Sequence, residues 1–248
     1  MSFDIVISVG PNDHPHLEIQ LEYTVRNIIG YRNIYIVHYD PSLVNDNIRN
    51  AFFIVPEYIF PITKTELISE YHIPEIRAGW VLQQIIKLYI GFVIPNILNR
   101  YLVIDADTFF LRPTEFVDYQ NRSLYNYGTE YHPTYFNHMT RLHPSLQKMN
   151  ASMSGICHHM MFDIEILKSL FTLVENYHNK PFYKAFLDCI QFPNENDLSV
   201  CSEYEIYFNY ILKYYHDAIQ IRPLEWKNCF TLQDHSPELN YVSIHIRK

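Results

Sequence analysis

Glycine is scarce in this sequence. The 248-residue chain contains six glycines, at positions 10, 30, 79, 91, 128 and 155. Loops that bind phosphate through backbone amides, such as Gly-x-Gly-x-x-Gly and the Walker loop, need closely spaced glycines, so neither can be built here. A nucleoside diphosphate bound to this chain would therefore need a metal ion and basic side chains to neutralise its charge.

The chain also lacks long hydrophobic runs and an excess of basic residues. No stretch reaches the roughly 18 uncharged apolar residues of a membrane span; residues 85–97 come closest, but Lys87 interrupts them. The first four residues carry no basic side chain and include Asp4, which argues against a signal peptide. The net charge of −8 argues against nucleic acid as a partner, because proteins that bind its phosphate backbone carry a basic surface. We expect a cytoplasmic protein with no membrane span.

The four cysteines are widely spaced and include no Cys-x-x-Cys pair. This pattern favours reduced, mostly buried thiols over a disulfide framework or a zinc site. Hydrophobic residues make up 48% of the chain and charged residues 19%, which is enough apolar material for a large core. Because no repeat or linker divides the chain, we expect one domain over residues 1–248.

Strand and helix patterns alternate along the first half of the chain. Apolar, β-branched residues predict strands over 3–9 and 33–38, and apolar residues at helical spacing predict helices over 16–29 and 77–90. A further strand follows at 101–105. This alternation predicts an α/β fold with a mostly parallel, doubly wound sheet flanked by helices.

The second half is less regular. Residues 118–149 predict a short strand and a long loop, residues 153–162 a strand, and residues 191–200 a polar loop. Helices are predicted over 163–178, 181–190 and 202–213, and strands over 218–222 and 240–246.

The predicted strand at 101–105 ends in two carboxylates separated by one alanine, Asp105-Ala106-Asp107. Its apolar run is typical of a buried parallel strand, and ligands of such sheets bind at the carboxyl ends of the strands. With a side-chain period of two, both acids point to the same side and can reach one cation or one phosphate group. Aspartate also simply ends strands, but that explains one acid more easily than two.

The helix before this strand carries a polar stripe. Trp80, Gln83, Gln84 and Lys87 fall at positions i, i+3, i+4 and i+7, and apolar residues cover the other faces. Polar groups on a mostly buried helix need partners, which a diphosphate, sugar hydroxyls or a neighbouring carboxylate would provide. Arg77 is a possible phosphate contact, although a solvated helix start explains it equally well.

Two adjacent histidines lie in the predicted strand at 153–162. Alternation along a strand sends His158 and His159 to opposite sides, so that one faces the cleft and the other the core. We assign His159 to the ligand contacts. Gly155 in the same strand would let a sugar approach the backbone closely.

With these elements in order, the sequence resembles the nucleotide-sugar-dependent glycosyltransferases of the GT-A fold. The resemblance rests on the β-α-β amino-terminal half, on Asp105 and Asp107 at a strand end, and on His245 near the carboxyl terminus. Three further segments look like a small group of GT-A-like proteins of largely unknown specificity: residues 79–88, 154–160 and 202–205.

The resemblance implies a nucleotide-binding half over residues 1–113 and an acceptor-binding half over residues 114–248. It also implies a Mn²⁺ or Mg²⁺ ion between Asp107 and the diphosphate of the donor. Asp105 would contact the ribose or help to hold the metal, and His245 would complete the metal shell. Carboxylate oxygens are suitable ligands for these hard ions.

In this fold, the turns after the first two strands contact the base and the ribose. The predicted contacts to the nucleotide sugar, from these turns and from the motifs above, are Val9, Asn12, Asp13, Asp40, Arg77, Gln84, Lys87, Asp105, Ala106, Gly155 and His159. In inverting enzymes of this fold, a carboxylate at a helix start acts as general base. Glu203 is the candidate, with Asp197 as the alternative. Glu203 is also explained by the favourable charge of an acid in the first turn of a helix.

The predicted function is therefore transfer of a sugar from a nucleoside diphosphate, expected to be UDP, to a hydroxyl of an unknown glycan, protein or small molecule. Residues 103–108 also fit the first motif of haloacid-dehalogenase phosphatases, with Asp105 as nucleophile and Asp107 as acid/base. That motif belongs on a first strand and needs a later pair of aspartates, which is absent. A third alternative is a non-catalytic protein that binds nucleotide sugars or glycans through its many tyrosines.

Overall fold

The computed structural model describes residues 2–192, 199–233 and 238–244. The helices in chain order are α1 Leu17–Asn27, α2 Asp46–Ala51, α3 Lys64–Ser69, α4 Glu75–Val93, α5 Pro133–Leu142, α6 Ile164–His178, α7 Phe182–Asp188 and α8 Glu203–Tyr214. The strands in chain order are β1 Phe3–Val9, β2 Ile28–Ile29, β3 Tyr31–His38, β4 Phe53–Pro56, β5 Arg100–Asp105, β6 Thr108–Phe110, β7 Thr114–Glu115, β8 Ser123–Tyr125, β9 His159–Asp163, β10 Ile219–Ile221, β11 Trp226–Cys229 and β12 Tyr241–Ile244.

The main sheet has the strand order β4-β3-β1-β5-β9. The first four strands are parallel to one another, and β9 is antiparallel to β5. All side chains of β1 are buried, as expected for a parallel strand with helices packed over it. Ser8 near the end of β1 lies opposite Asp105 at the end of β5. This register places the turn after β1 beside the acidic pair, and the predicted α/β fold is confirmed.

A smaller sheet of β11, β12 and β6 begins where β5 ends. Ser243 of β12 lies opposite Thr108 of β6, although the two are far apart in sequence. The backbone N–H of Ile244 also donates to the carbonyl of Asp107 at 2.8 Å. The turn that carries Asp107 is therefore held between two sheets.

The second half of the chain differs from the sequence prediction in two places. The predicted loop within residues 118–149 contains helix α5, whose buried residues Tyr135, His138, Met139 and Leu142 follow helical spacing. The predicted strand over 153–162 is wrong in its first part, because the observed strand, β9, begins only at His159. His158, just before β9, has a left-handed φ of 63°, which interrupts the regular pleat.

The elements without a counterpart in the sequence prediction include α2, α3, β7 and β11, and β2 replaces the last residues of the helix predicted over 16–29. A local signal for α3 exists, since Thr63 and Glu66 form a capping box at its start. None of the helices in the described ranges is long and apolar enough to cross a membrane. The expectation for the cysteines is confirmed, because all four are buried and none forms a disulfide.

A buried carboxylate joins three segments at the amino ends of the sheet. Asp4 is fully buried and accepts hydrogen bonds from the guanidinium of Arg32 at 2.6 and 3.0 Å. It also accepts from the backbone N–H groups of Asn33 at 3.1 Å and Leu98 at 2.8 Å. This one side chain therefore links β1, β3 and the segment before β5.

Substitution Asp4→Asn should lower the free energy of unfolding by about 2 kcal/mol, because the buried charge-assisted bonds are lost while Arg32 stays partly solvated. Urea denaturation at neutral pH measures this. The control is Glu165→Gln, which removes an exposed ion pair with Lys168 and should change stability by less than about 0.5 kcal/mol. Equal midpoints for Asp4→Asn and the wild type would contradict the proposed role of Asp4.

Candidate active site

A cavity of about 260 Å³ opens at the carboxyl ends of β1 and β5. Its walls come from the end of β1, the turn after it, one face of α4, the acidic turn after β5, the segment before β9 and the start of α8. Carboxylates dominate the lining, which includes Asp13, Asp105, Asp107, Glu130 and Glu203. An acidic cavity of this kind attracts cations.

Three side chains of the lining converge as possible metal ligands. One ligand atom from each of Asp105, Asp107 and His158 lies within 4.8 Å of the others. Two local features bring them together: the backbone N–H of Asp105 donates to the carbonyl of His158 at 2.9 Å, and the left-handed φ of His158 breaks the strand alternation. Two carboxylates and an imidazole suit a divalent ion such as Mn²⁺ or Mg²⁺. The predicted ligands Asp105 and Asp107 are thus brought together, whereas His245 lies outside the described residues.

Buried charges form the floor of the cavity. The ammonium group of Lys87 lies 2.6 Å from Oδ1 of Asp105 and 2.8 Å from Oε1 of Glu203. It also lies 4.3 Å from the ring centroid of Tyr204, whose hydroxyl donates to Oδ1 of Asp105 at 2.7 Å. Lys87 of the polar stripe therefore finds carboxylate partners within the protein, which was one of the open alternatives for this residue.

This network controls the ionisation of its members. Burial alone would raise the pKa of Asp105, but Lys87 and His158 hold it below its ordinary range. Burial alone would lower the pKa of Lys87, but Asp105 and Glu203 raise it. Asp105 therefore stays anionic and Lys87 cationic at neutral pH. Burial raises the pKa of Glu203, and Lys87 opposes this.

Two opposite effects also act on the pKa of His158. Burial lowers this pKa and Asp105 raises it, with a net increase. A metal ligand must be unprotonated, so metal binding at this group would compete with protonation of His158. The other carboxylate, Asp107, accepts a hydrogen bond from Ser243 Oγ of β12 at 3.1 Å. Each of the three possible ligands is therefore oriented by a second contact or by its backbone.

Helices α4 and α8 position Glu203 together. The backbone N–H of Glu203 donates to Oε1 of Gln84 at 3.0 Å, and Ser202 Oγ caps the helix by accepting from the N–H of Glu205 at 3.2 Å. The carboxylate of Glu205 accepts from Ser154 Oγ at 2.5 Å and does not complete a capping box with Ser202. Glu203 thus reaches the cavity, and its alternative Asp197 lies outside the described residues.

Of the ligand contacts predicted in and after β1 and after β3, only Asp13 lines the cavity. The side chain of Val9 is buried in the core, and the neighbouring Ser8 lines the cavity in its place. Asn12 is exposed. The carboxylate of Asp40 accepts from the N–H and hydroxyl of Ser42, and the residue does not line the cavity.

Three further predicted contacts lie outside the lining. A Cβ added to Gly155 would be 2.4 Å from the carbonyl oxygen of Tyr204, so this glycine makes room for α8 rather than for a sugar. His159 is 3% exposed and packs edge-on against Phe110 and Tyr241, and burial lowers its pKa to about 3. Arg77 stacks on the cavity residue Trp80.

Sequence reasoning missed several residues of the site. Regular strand alternation was assumed for His158 and His159, and His159 was assigned to the ligand contacts instead of His158. Tyr204 follows Glu203 at the helix start and carries no signal beyond that position. Ser243 reaches Asp107 from β12, and only the pairing of distant strands brings the two together.

A family of unknown function, DUF6492, matches residues 35–220. The chain belongs to the DUF6492 family. A search of curated proteins finds no match for this DUF6492 member.

Among solved structures, the DUF6492 protein is similar to mouse xyloside xylosyltransferase 1 in its apo form. The match has a TM-score of 0.53 at 8% sequence identity and covers 98% of this chain and 97% of that chain. At this identity the similarity establishes the fold alone: the DUF6492 protein has a glycosyltransferase fold.

The acidic cavity predicts a stability cost at Asp13. Burial, followed by Asp107 and Asp105, raises the pKa of Asp13 to about 6. Because the folded pKa exceeds the unfolded value of about 3.9, the proton stabilises the fold at low pH, and this contribution is lost as the pH rises through 6. Asp13→Asn should therefore stabilise the metal-free protein by about 1–2 kcal/mol at pH 7.5 and have little effect at pH 4.

Chemical denaturation in the presence of a chelator at both pH values measures this difference. Asp217→Asn, at a position that is 93% exposed, is the matched control and should show no pH-dependent gain. An equal increase in the free energy of unfolding from Asp13→Asn at the two pH values would mean that burial and the neighbouring carboxylates do not destabilise the charged form of Asp13.

Proposed function

We propose that this protein is a metal-dependent glycosyltransferase that moves a sugar from UDP to a hydroxyl of a glycan, protein or small-molecule acceptor. The observation that carries the proposal is the group of Asp105, Asp107 and His158 at the carboxyl end of β5, inside a cavity of a glycosyltransferase fold. Ligands of α/β sheets bind at this edge.

The residues present fit a divalent ion. Asp105, Asp107 and His158 would hold Mn²⁺ or Mg²⁺, with His245 as a further ligand proposed from the sequence. When bound, the ion would neutralise charge on the leaving diphosphate. The shortage of glycine supports this role, because no glycine-rich loop can bind the phosphates.

Residues from both halves of the chain line the cavity, which supports different binding roles for the two halves. Ser8 lies near the end of β1 and Asp13 follows it, and we assign them with residues 1–113 to the nucleotide. Glu130, Tyr135 and the start of α8 also line the cavity, and we assign residues 114–248 to the acceptor. Lys87 keeps Asp105 ionised for cation binding and pairs with Glu203 at the start of α8.

Glu203 is the proposed general base. The acceptor oxygen would form a bond to the anomeric carbon while the bond from that carbon to the phosphate oxygen breaks, and the hydroxyl proton would pass to Glu203. Burial supports this role because it raises the pKa of the carboxylate and so increases its basicity. Asp197 remains the alternative proposed from the sequence.

Two other functions are alternatives to this proposal. The motif at 103–108 fits a phosphatase, but the glycosyltransferase fold supports the transferase instead. A non-catalytic binding protein would need no general base. The four buried thiols support a location in a reducing compartment such as the cytoplasm.

Thermal melting with UDP and a panel of UDP-sugars, with and without Mn²⁺, tests the donor site. We expect one UDP-sugar to raise the melting temperature of the wild type only with Mn²⁺, and at 100 times its Kd to add about 2.7 kcal/mol of stability. Asp107→Asn should abolish this shift, and Asp217→Asn should keep it. If no UDP-sugar raises the melting temperature but the protein hydrolyses a phosphate ester, the phosphatase is favoured. If neither effect is observed, the non-catalytic binding protein is favoured.

Substitution Glu203→Gln separates catalysis from binding once a donor is known. We expect kcat to fall by about 10²–10⁴-fold, because the group that accepts the proton is lost while the shape is kept. The Mn²⁺-dependent melting shift with the donor should persist. Retention of wild-type kcat and pH profile by Glu203→Gln would exclude this residue as the base.

A further inference from the structure

Arg77 is a half-buried cation with no anionic partner among the residues that the structure describes. Its guanidinium carbon lies 4.1 Å over the Trp80 ring, and its Nε is buried with no hydrogen-bond partner in the described part of the chain. Its electrostatic neighbours within the same ranges are the Tyr135 hydroxyl and the Cys201 thiol rather than carboxylates. Stacking on an aromatic ring stabilises such a cation only in part.

Two other arginines of the described residues have anionic partners within the protein. Arg32 pairs with Asp4, and Arg122 pairs with Asp118. Removing a cation from water without a hydrogen-bonded anion is costly. Arg77 therefore differs from these side chains in having its charge available for a ligand.

The position of Arg77 indicates which part of a substrate it can reach. Arg77, Trp80, Gln84 and Lys87 follow one face of α4, and the last three line the cavity. At 1.5 Å per residue, the ten-residue step from Arg77 to Lys87 places their backbones about 15 Å apart along the helix. This separation is longer than a diphosphate, so Arg77 lies beyond a diphosphate held near Asp105.

The cavity is also polarised along this direction. Asp13, Asp105 and Asp107 influence one another at the metal end, and Glu130 acts on His158 there. No carboxylate of the described residues acts on Arg77 in the same way. The outer end beyond Trp80 is therefore the cationic end.

We propose that Arg77 and Trp80 form an anion-binding subsite at the outer end of the cavity, where the acceptor places a carboxylate or phosphate group. A guanidinium matches both groups because it can donate two parallel hydrogen bonds. A sugar ring that carries the anion would lie against Trp80 and Tyr135. Assignment of the anion to the acceptor rests on the proposed glycosyltransferase function, whereas anion binding itself needs neither donor nor metal.

Fluorescence titration tests the subsite directly, because the chain has two tryptophans and Trp226→Phe leaves Trp80 as the single reporter. In this background, without metal, the protein is titrated with glucose, glucuronate and glucose 6-phosphate. We expect at least one charged sugar to bind tenfold or more tightly than glucose, with an advantage that falls as salt is added. Preference for glucuronate would identify a carboxylate, and preference for glucose 6-phosphate a phosphate.

Arg77→Gln should reduce the charged sugar to the affinity of glucose, and Arg77→Lys should restore part of the difference. The matched control is Arg26→Gln, which removes another arginine stacked on a ring, that of Tyr23, and should keep the preference. Equal binding of charged and neutral sugars, or a preference that survives Arg77→Gln, would overturn the subsite. If a UDP-sugar stabilises the protein but charged sugars show no Arg77-dependent preference, the transferase function stands and the subsite does not. If charged sugars show that preference but no UDP-sugar binds, the subsite stands and the transferase function does not.

Discussion

The buried ion network around Lys87 is the constraint on which the site depends. It joins α4, β5 and α8 through contacts of 2.6 Å to Asp105 and 2.8 Å to Glu203. Loss of Lys87 would leave two buried carboxylates without their cation, which is more costly than loss of an exposed pair. The same contacts determine the ionisation of Asp105 and the placement of Glu203, so that stability and chemistry share one set of interactions.

The acidic turn after β5 gains its geometry from two sheets. Asp105 ends β5 of the main sheet, and Asp107 is held by Ile244 and Ser243 of β12 in the smaller one. Three of the six glycines, Gly91, Gly128 and Gly155, lie at closely packed positions. At Gly155, for example, a side chain would collide with the backbone of Tyr204 in α8. A metal ion and side chains are therefore the available means of neutralising a diphosphate.

Sequence reasoning was most successful where structure is local. The bounds of β1 were predicted as observed, and α4 was predicted with its polar stripe, because both follow from the periodicity of apolar residues. It failed at α5, where Tyr135 and His138 on the buried face obscured the apolar pattern. It also failed before β9, where one left-handed residue reversed the expected order of the two histidines.

The sequence by itself determined the parallel α/β fold and the position of Asp105 and Asp107 at the carboxyl end of a central strand. These features depend on side-chain periodicity, which neighbouring residues specify. Only the tertiary structure decided that Lys87 would meet Asp105 and Glu203, and that His158 would face the cavity. These contacts join residues far apart in the chain or depend on one backbone angle, and packing of whole elements determines both.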